Sequence, residues 1–559
     1  MARNFPTSSR VATLLAGVAL AVGFGAPGPA LAQQGPPSPA DARDARIGQL
    51  EAQVRALVAA NRSEAAQIQT LTAAIGELKT ARSTLAPTEA IQTLPPPPRA
   101  AKAPPAAIAS IAAGKPVIAS ADGRFSLTLH GIVQFDAALY DQGAAGPIAT
   151  DQRRSGPALG ASATKVDLSH ARQLKDGDLF RRARIGFDGT AYGDVDYRLI
   201  LDFGSTGGTE NAGQLYEAWV QYSGLKPFKF RVGAFPPSIG LEDQGSTSFI
   251  PLLERSAAGD IARGFVAGDT RTAAEIFANG DHWLASAAVT GRTVGVINTG
   301  TASPTPQTFG DQLGLVGRLA ATPLHGADWL IHVGAHGSYL VTPPNVAGPP
   351  LIAGPPASGA VTFSNTPELR VDGTRLINTG AIPAAHADEA GLEFAVQKKN
   401  FFLQSEYEHF DVERTGLGVT NPHFQGWYVE GSWILTGEAR KYNSQSAAFD
   451  GPPVAHPFDP AGGSWGAFEL AARYSDMDLN YHAGAVGTAP AADAIRGGDL
   501  RVIGAGINWY WNPLVRFMFD YQHVRLDRLS PDALLYQTAP GAQIGQSYDA
   551  FSVRSQFAF

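Results

Sequence analysis

The sequence predicts an all-β fold, a sixteen-stranded antiparallel transmembrane β-barrel preceded by a short periplasmic α-helical coiled coil, and three observations carry that prediction. The first is the end of the chain. Residues 548–559 read YDAFSVRSQFAF, with Phe551, Val553, Phe557 and Phe559 on one face at period two and Arg554 and Gln556 on the other, as in a strand. A strand that stops on an aromatic carboxy-terminus suits the closing strand of a barrel. The second is repetition: from Arg124 onward, segments of alternating residues recur, and sixteen can be placed between 124–140 and 547–559. The third is the spacing between them. Connections after even-numbered strands are short, as at Tyr192-Gly193, Gly280-Asp281, Lys398-Lys399 and Asn512-Pro513. Those after odd-numbered strands are long, at 141–178, 236–270, 293–310, 341–386, 479–498 and 527–546, and only 437–464 breaks the parity. Short periplasmic turns and longer outer loops sort in this way, and an even strand number closes the sheet without an edge.

Taken in order, the chain begins with Arg3 and Arg10, an apolar run from Val11 to Phe24, and Ala30-Leu31-Ala32, so 1–32 reads as a signal peptide for export. No later apolar run approaches the ~20 residues of a membrane helix. The chain has no cysteine, which removes disulfides, thiolate metal sites and thiol nucleophiles. Its formal net charge of -7 gives no nucleic-acid footprint. Within 33–85, Ile47, Val54, Asn61, Ile68 and Ile75 alternate with Leu50, Leu57, Glu64, Leu71 and Leu78 in an unbroken heptad count, which predicts a self-associating coiled coil. β-branched residues at one core position with Leu at the other lean towards two strands. Residues 86–120, with four consecutive prolines at 95–98, predict a semi-rigid extended linker. The barrel domain is then 121–559.

Charge sorts the faces of the strands. In FRRARIGFDG at 180–189, Ala183, Ile185 and Phe187 share one face and Arg182, Arg184 and Asp188 the other. An arginine facing lipid near the midplane costs ~2–4 kcal/mol, so the arginines are expected in the lumen. The same sorting sends Arg198, Asp202, Glu217, Gln221, Lys229, Arg231 and Arg318 inward. In the second half it sends Glu393, Glu406, Glu408, Glu430, Glu469 and Asp520 inward, with Arg473, Arg501 and Arg516 among them. One wall is then mainly cationic and the other mainly anionic, which draws small anions along the basic side. The alternative reading is that these charges only pair across the lumen and keep it wet. The loop at 236–270 mixes Phe249, Ile250, Leu252 and Leu253 with Glu254, Arg255, Asp260 and Arg263, a composition suited to folding into the barrel as a constriction. Arg255 and Arg263 are its candidate charges at the narrow point.

Five stretches carry a resemblance: LFRRARIGFDGTAYGDVDYRLILDFG at 179–204, LLERS at 252–256, ILTGEARKY at 434–442, GAFELAARYSD at 466–476 and INWYWNPLVRFMFDYQHV at 507–524. Together they resemble the phosphate-selective porin O and P family of outer-membrane channels. The resemblance implies a trimeric porin whose third loop narrows the pore and whose arginines and lysines pass anions such as phosphate. It supports Arg181, Arg182 and Arg184 on the second strand, Arg231 before the loop and Arg255 within it. One departure is local: where the family often carries a lysine after the fifth strand, this chain reads GAFPPSIG at 233–240. The implied trimer and the dimer-leaning heptads stand side by side.

The candidate pore-lining and anion-binding residues are therefore Arg181, Arg182, Arg184, Arg198, Lys229, Arg231, Arg255, Arg263 and Arg318. No cofactor or metal is expected: His332 and His336 share a face, but four residues along a strand hold them ~13 Å apart. No HExxH, GxSxG, phosphate-cradling GxxxxGK[ST] or dinucleotide GxGxxG on a strand-to-helix turn is found, and Glu406 and Glu408 are explained as lumen residues. The expected function is a passive channel for small hydrophilic solutes in the outer membrane of a Gram-negative bacterium, preferring anions, and not an enzyme. Its expected partners are outer-membrane lipid, two further copies of itself, small anions such as phosphate, and the cell wall through a periplasmic N-terminal segment, with no nucleic acid. The other reading is a structural tether, in which a plugged barrel anchors a working coiled coil.

Overall fold

The structure is a computed structural model that describes residues 107–112, 114–142, 174–205, 213–267, 270–294, 312–344, 359–416, 418–531 and 540–559. The expected signal peptide and coiled coil, and the linker through residue 106, lie outside the described residues.

Sixteen strands form the barrel: β1 (Ser126–Gln142), β2 (Gly177–Ala191), β3 (Val195–Asp202), β4 (Gln214–Tyr222), β5 (Phe228–Phe235), β6 (Arg271–Asn279), β7 (Trp283–Thr293) and β8 (Leu313–His325), then β9 (Trp329–Thr342), β10 (Ile382–Lys398), β11 (Phe401–Arg414), β12 (His423–Ile434), β13 (Ala467–Tyr481), β14 (Ile495–Tyr510), β15 (Val515–Asp527) and β16 (Ser547–Ala558). Each pairs antiparallel with the next. The last closes on the first, with Phe551 opposite Leu139 and Arg554 opposite Asp136, so the sheet has no free edge. The chemistry of the sequence explains the closure: the face carrying Ile185, Val232, Leu319, Leu392, Ile503 and Phe551 is exposed, and only hydrocarbon can cover it favourably. Trp283, Trp329 and Trp433 stand exposed beside the short turns and Tyr339, Trp427 and Tyr521 towards the other rim, where amphipathic rings suit the two membrane interfaces.

Two features depart from plain alternation. In β2 the register with β1 steps from Gln134–Arg182 to Phe135–Phe180, leaving Arg181 as an extra residue. This bulge turns Arg181 and Arg182 both inward, each 2 % exposed. Before the barrel, Ile108–Ala112 and Lys115–Ala119, which the sequence places in the extended linker, form a hairpin whose second strand pairs with Ser126–Thr128 of β1.

Among the described residues, the β5–β6, β9–β10 and β12–β13 connections fold into the barrel. The loop between β5 and β6 carries helices α1 (Leu241–Gln244) and α2 (Ala257–Ala262) and a wide turn at Arg263–Ala267. Between β9 and β10, Phe363, Leu369, Leu376 and Ile377 are buried in one apolar cluster with Leu479, Leu500, Val502 and Leu526 of the inner wall. The third is the connection between β12 and β13, the one out of step in length. It lies on the side of the short turns and buries Ala447, Ala448 and Phe449.

The apolar cluster overturns one assignment. Arg501 does not face the lumen. On β14 the buried positions are Leu500, Val502, Asn508 and Tyr510, while Arg501 shares the outward face with Ile503 and Ile507 and pairs with Asp476 and Asp499. Near this rim the inner wall packs loops with apolar side chains and with arginines such as Arg496, which donates to the loop carbonyls of Ala483, Thr488 and Ser530, so charge alone does not tell inside from outside there.

Candidate pore and its constriction

The loop after β5 crosses the lumen and settles on the far wall, because that wall is built of donors and acceptors for its backbone. Glu406 on β11 accepts hydrogen bonds from the backbone nitrogens of Leu241 and Glu242, the latter at 2.9 Å. Asp520 accepts from Leu253 N at 2.7 Å, Arg516 donates to the carbonyls of Ser248 and Ile250 at 3.0 and 2.7 Å, and Asn508 donates to that of Pro251 at 2.8 Å. A buried loop must satisfy its peptide groups, and here the strands do so. Ser256 caps α2 by accepting from Gly259 N at 3.1 Å.

Glu254 is the ionic anchor. Arg181 Nε and Nη2 donate to its two oxygens at 2.7 and 3.0 Å, Arg554 Nη2 lies 2.7 Å away, and Arg182 and Arg370 each lie 3.7 Å away. Burial alone would push its carboxyl up, but Arg181, Arg182, Arg554 and Arg370 hold it well below the usual carboxylate range. Asp260 is depressed in the same way, with Arg370, Arg263 and Arg255 outweighing its burial. Glu242 goes the other way: burial raises it despite Arg473 at 3.1 Å.

Because the loop leans on β11–β16, space remains beside β2–β7. A cavity of about 1300 Å³ runs from the short-turn mouth, at Ser126, Asn512 and Phe559, to the underside of the loop at Asp243, Phe249, Arg255 and Arg263. Its strand wall carries Arg184, Arg198, Lys229 and Arg231, and Lys115 of the hairpin and Lys441 of the β12–β13 connection also line it. Arg231 sits among Trp219, Phe277 and Phe235, with ring centroids at 4.6, 5.0 and 5.2 Å, so its guanidinium keeps a fixed place. Lys229 donates to the neutral Asn279 Oδ1 at 3.1 Å. Arg198 is shared between Glu217 at 3.4 Å and Asp188 at 3.5 Å, with a side chain 33 % exposed. Arg184 lies over the Tyr216 ring at 3.5 Å and pairs with Asp202 at 2.7 Å. A bulge at Tyr216, where Ile200 pairs with Glu217 and Leu201 with Leu215, sets that ring in the cavity wall.

Of the nine sequence candidates, the structure thus brings six to the cavity: Arg184, Arg198, Lys229, Arg231, Arg255 and Arg263. Arg255 and Arg263 are partly engaged, both with Asp243, and Arg255 also donates to the carbonyls of Glu242, Asp243 and Gly245. Arg181, Arg182 and Arg318 lie elsewhere. The first two hold Glu254, and Arg318 is clamped at 2.8 Å by both oxygens of Glu393 while donating to the carbonyls of Ser446 and Ala447. Lys115, Lys441, Trp219 and Tyr216 were not singled out in the sequence. Lys441 lies in ILTGEARKY, one of the stretches that carry the resemblance, and the odd length of 437–464 marks that connection as having a special course.

A closed sixteen-stranded barrel with an apolar outer belt, an inward third loop and a charged inner wall defines an outer-membrane porin channel. The family model described as phosphate-selective porin O and P matches residues 159–559, and the chain belongs to that family. Among curated proteins, Porin O of Pseudomonas aeruginosa is 26 % identical over 361 residues, covering 64 % of this chain and 78 % of that protein. An uncharacterised protein of Caulobacter vibrioides is 27 % identical over 309 residues, 55 % of this chain and 57 % of that one. Solved structures with similarity include an anion-selective porin from Comamonas acidovorans (14 % identity, TM-score 0.44, covering 78 % of this chain and 100 % of that one) and the outer-membrane channel DcaP of Acinetobacter baumannii (9 %, TM-score 0.40, 79 % and 99 %).

Proposed function

We propose that this porin is a passive, anion-preferring channel, and one observation carries the reading. The inward loops cover Glu393, Glu406, Glu408, Glu430 and Glu469, each at most 4 % exposed, while around the cavity the cations Lys115, Arg184, Arg198, Lys229, Arg231, Arg255, Arg263 and Lys441 outnumber the carboxylates Asp188, Asp196, Glu217, Asp243, Glu275 and Asp450. In a narrow low-dielectric passage, fixed cations raise the local anion concentration and weakly held sites hand an anion onward. Lys229 and Arg231 are the working pair, with Arg198 beside them and Arg255 and Arg263 at the loop. Small anions such as phosphate, the solute for which the family is named, are the substrates.

The functional unit is a homotrimer in the outer membrane. In the same proposal, residues 33–85 are a periplasmic coiled coil joined by a proline-rich linker, which would brace the trimer or reach towards the cell wall. The signal peptide at 1–32 directs export. Zero-current potential across a salt gradient in a planar bilayer tests the anion preference, and absence of any current would favour the tether reading instead.

A further inference from the structure

One buried cluster on the inner wall is used neither by the loop docking nor by the cavity. His336 on β9, Gly391 on β10 and Glu408 on β11 are directly paired across three strands. A Cβ at Gly391 would lie 2.0 Å from His336 Nε2 and 2.5 Å from Glu408 Oε2, so the missing side chain lets the imidazole lie across β10 and reach the next strand. His336 Nδ1 is 2.9 Å from Glu393 Oε1, and Glu393 is itself clamped by Arg318 at 2.8 Å. A guanidinium-paired carboxylate is an acceptor, so it accepts a hydrogen bond from Nδ1–H, and the neutral imidazole then has its lone pair on Nε2. Nε2 then faces two further acceptors, Glu408 Oε2 at 3.0 Å and Glu389 Oε1 at 3.3 Å. Glu389 is 2 % exposed, and its Oε1 accepts no hydrogen bond. Acceptors converging in a dry place require positive charge between them.

We propose that His336 Nε2, Glu389 Oε1 and Glu408 Oε2 are three ligands of a divalent transition-metal site, taking Zn²⁺ or Mn²⁺, in the barrel wall. The donor atoms of this group lie within 4.8 Å of one another. Donors held tetrahedrally at ~2.0–2.2 Å from a zinc ion stand roughly 3.3–3.6 Å apart, close to the separations from Nε2 found here. One imidazole with two carboxylates suits Zn²⁺ or Mn²⁺ better than Ca²⁺, which takes an all-oxygen shell. The Nδ1–Glu393–Arg318 chain supplies the outer support that fixes a ligating imidazole. The ion also offsets charge, since Glu389, Glu393 and Glu408 all crowd around the His336 imidazole and only Glu393 has the guanidinium of Arg318 as a partner. It ties β9, β10 and β11 together next to Glu406, where the third loop is seated.

The competing occupant is protons, and metal counting separates the two. The full-length protein, purified in detergent, is stripped with chelator, incubated with Zn²⁺, Mn²⁺ or Ca²⁺, exchanged into metal-free buffer and assayed by plasma mass spectrometry, with heat-modified gel mobility as the stability readout. We expect about one Zn²⁺ or Mn²⁺ per chain, no retained Ca²⁺ and a higher conversion temperature for the loaded protein. His336→Gln and Glu389→Gln should each lower retention at least tenfold, while Glu438→Gln, in the β12–β13 connection, retains it. Failure to retain either metal, or equal retention in His336→Gln, overturns the site. Should the variants not fold, electron spin echo spectra of the Mn²⁺-loaded native protein decide: imidazole nitrogen coupling supports the assignment, and bound manganese without it refutes it.

Discussion

Arg554, on the strand that closes the barrel, meets Glu254, in the loop that enters it, at 2.7 Å. Arg554 is also held by Asp136 of β1 at 2.6 Å, so a single guanidinium joins the seam of the sheet to the root of the constriction. With Arg181, Arg182 and Arg370 on the same carboxylate, Glu254 decides whether the third loop stays seated.

Glu254→Gln should therefore unseat the loop more than it unfolds the barrel. Removing one member of a buried ionic group costs about 3–5 kcal/mol, because the remaining charges stay buried without their counter-charge. Single-channel records should become larger and noisier. The sign with pH follows from the depressed carboxyl: its contribution is present above the unfolded value of ~4.3 and lost only as pH falls through the lower folded value. The gap in stability between native protein and variant should thus persist from neutral pH to about 4.3 and close only below it. A gap that closes by pH ~6 would contradict the assignment.

Neutralising the cavity wall should change selectivity; Lys229→Gln should leave stability near native, while Arg231→Gln, which strands the buried Glu275 3.6 Å away, should also lower it. Lys229→Gln and Arg231→Gln should each lower the anion-to-cation permeability ratio severalfold, and the double variant should lower it further. Arg318→Gln, which breaks the buried pair with Glu393, should leave that ratio near native and lower denaturant resistance. Native selectivity should weaken at high salt, where the screening length falls to ~3 Å at 1 M.

The barrel was legible because two periodicities agree: alternation along strands, and short and long connections between them. What the alternation hides is what packs inside. Arg181 reaches the lumen only through a bulge, which no residue count reveals. The charge of Arg501 predicts an inward side chain, yet Leu500 and Val502 occupy that face, packed among Leu376, Ile377 and Leu526. The candidate site was legible in residue type more than in role. Lumen arginines that look alike in sequence divide into those that grip loop carbonyls or carboxylates, such as Arg516 and Arg318, and those that meet the cavity, such as Arg231. That division depends on which wall the third loop chooses.

Shortening the β12–β13 connection should enlarge the channel from the short-turn side. Deleting 443–449 removes the Ser446 and Ala447 carbonyls that accept from Arg318 and the Asn443, Gln445 and Ser446 side of the cavity. Conductance should rise and bulkier solutes should enter in a liposome-swelling assay; unchanged conductance would show that this segment does not limit flow.

Deleting 33–106 should weaken the oligomer and its envelope attachment while preserving single-channel conductance, because the first strand pairing onto the barrel begins at Lys115–Ala119. Extending the deletion through Ala119 should instead alter the mouth, since Lys115 lines the cavity. Loss of conductance in the shorter deletion would overturn this division of labour.

The decisive measurement of anion preference is the zero-current potential of the native channel in a planar bilayer under a salt gradient, repeated with phosphate added to one side. The potential should carry the sign of anion preference, and phosphate should reduce the current through competition at Lys229 and Arg231. A cation-preferring current would contradict that reading, and so would an anion preference that survives unchanged in the Lys229→Gln/Arg231→Gln protein.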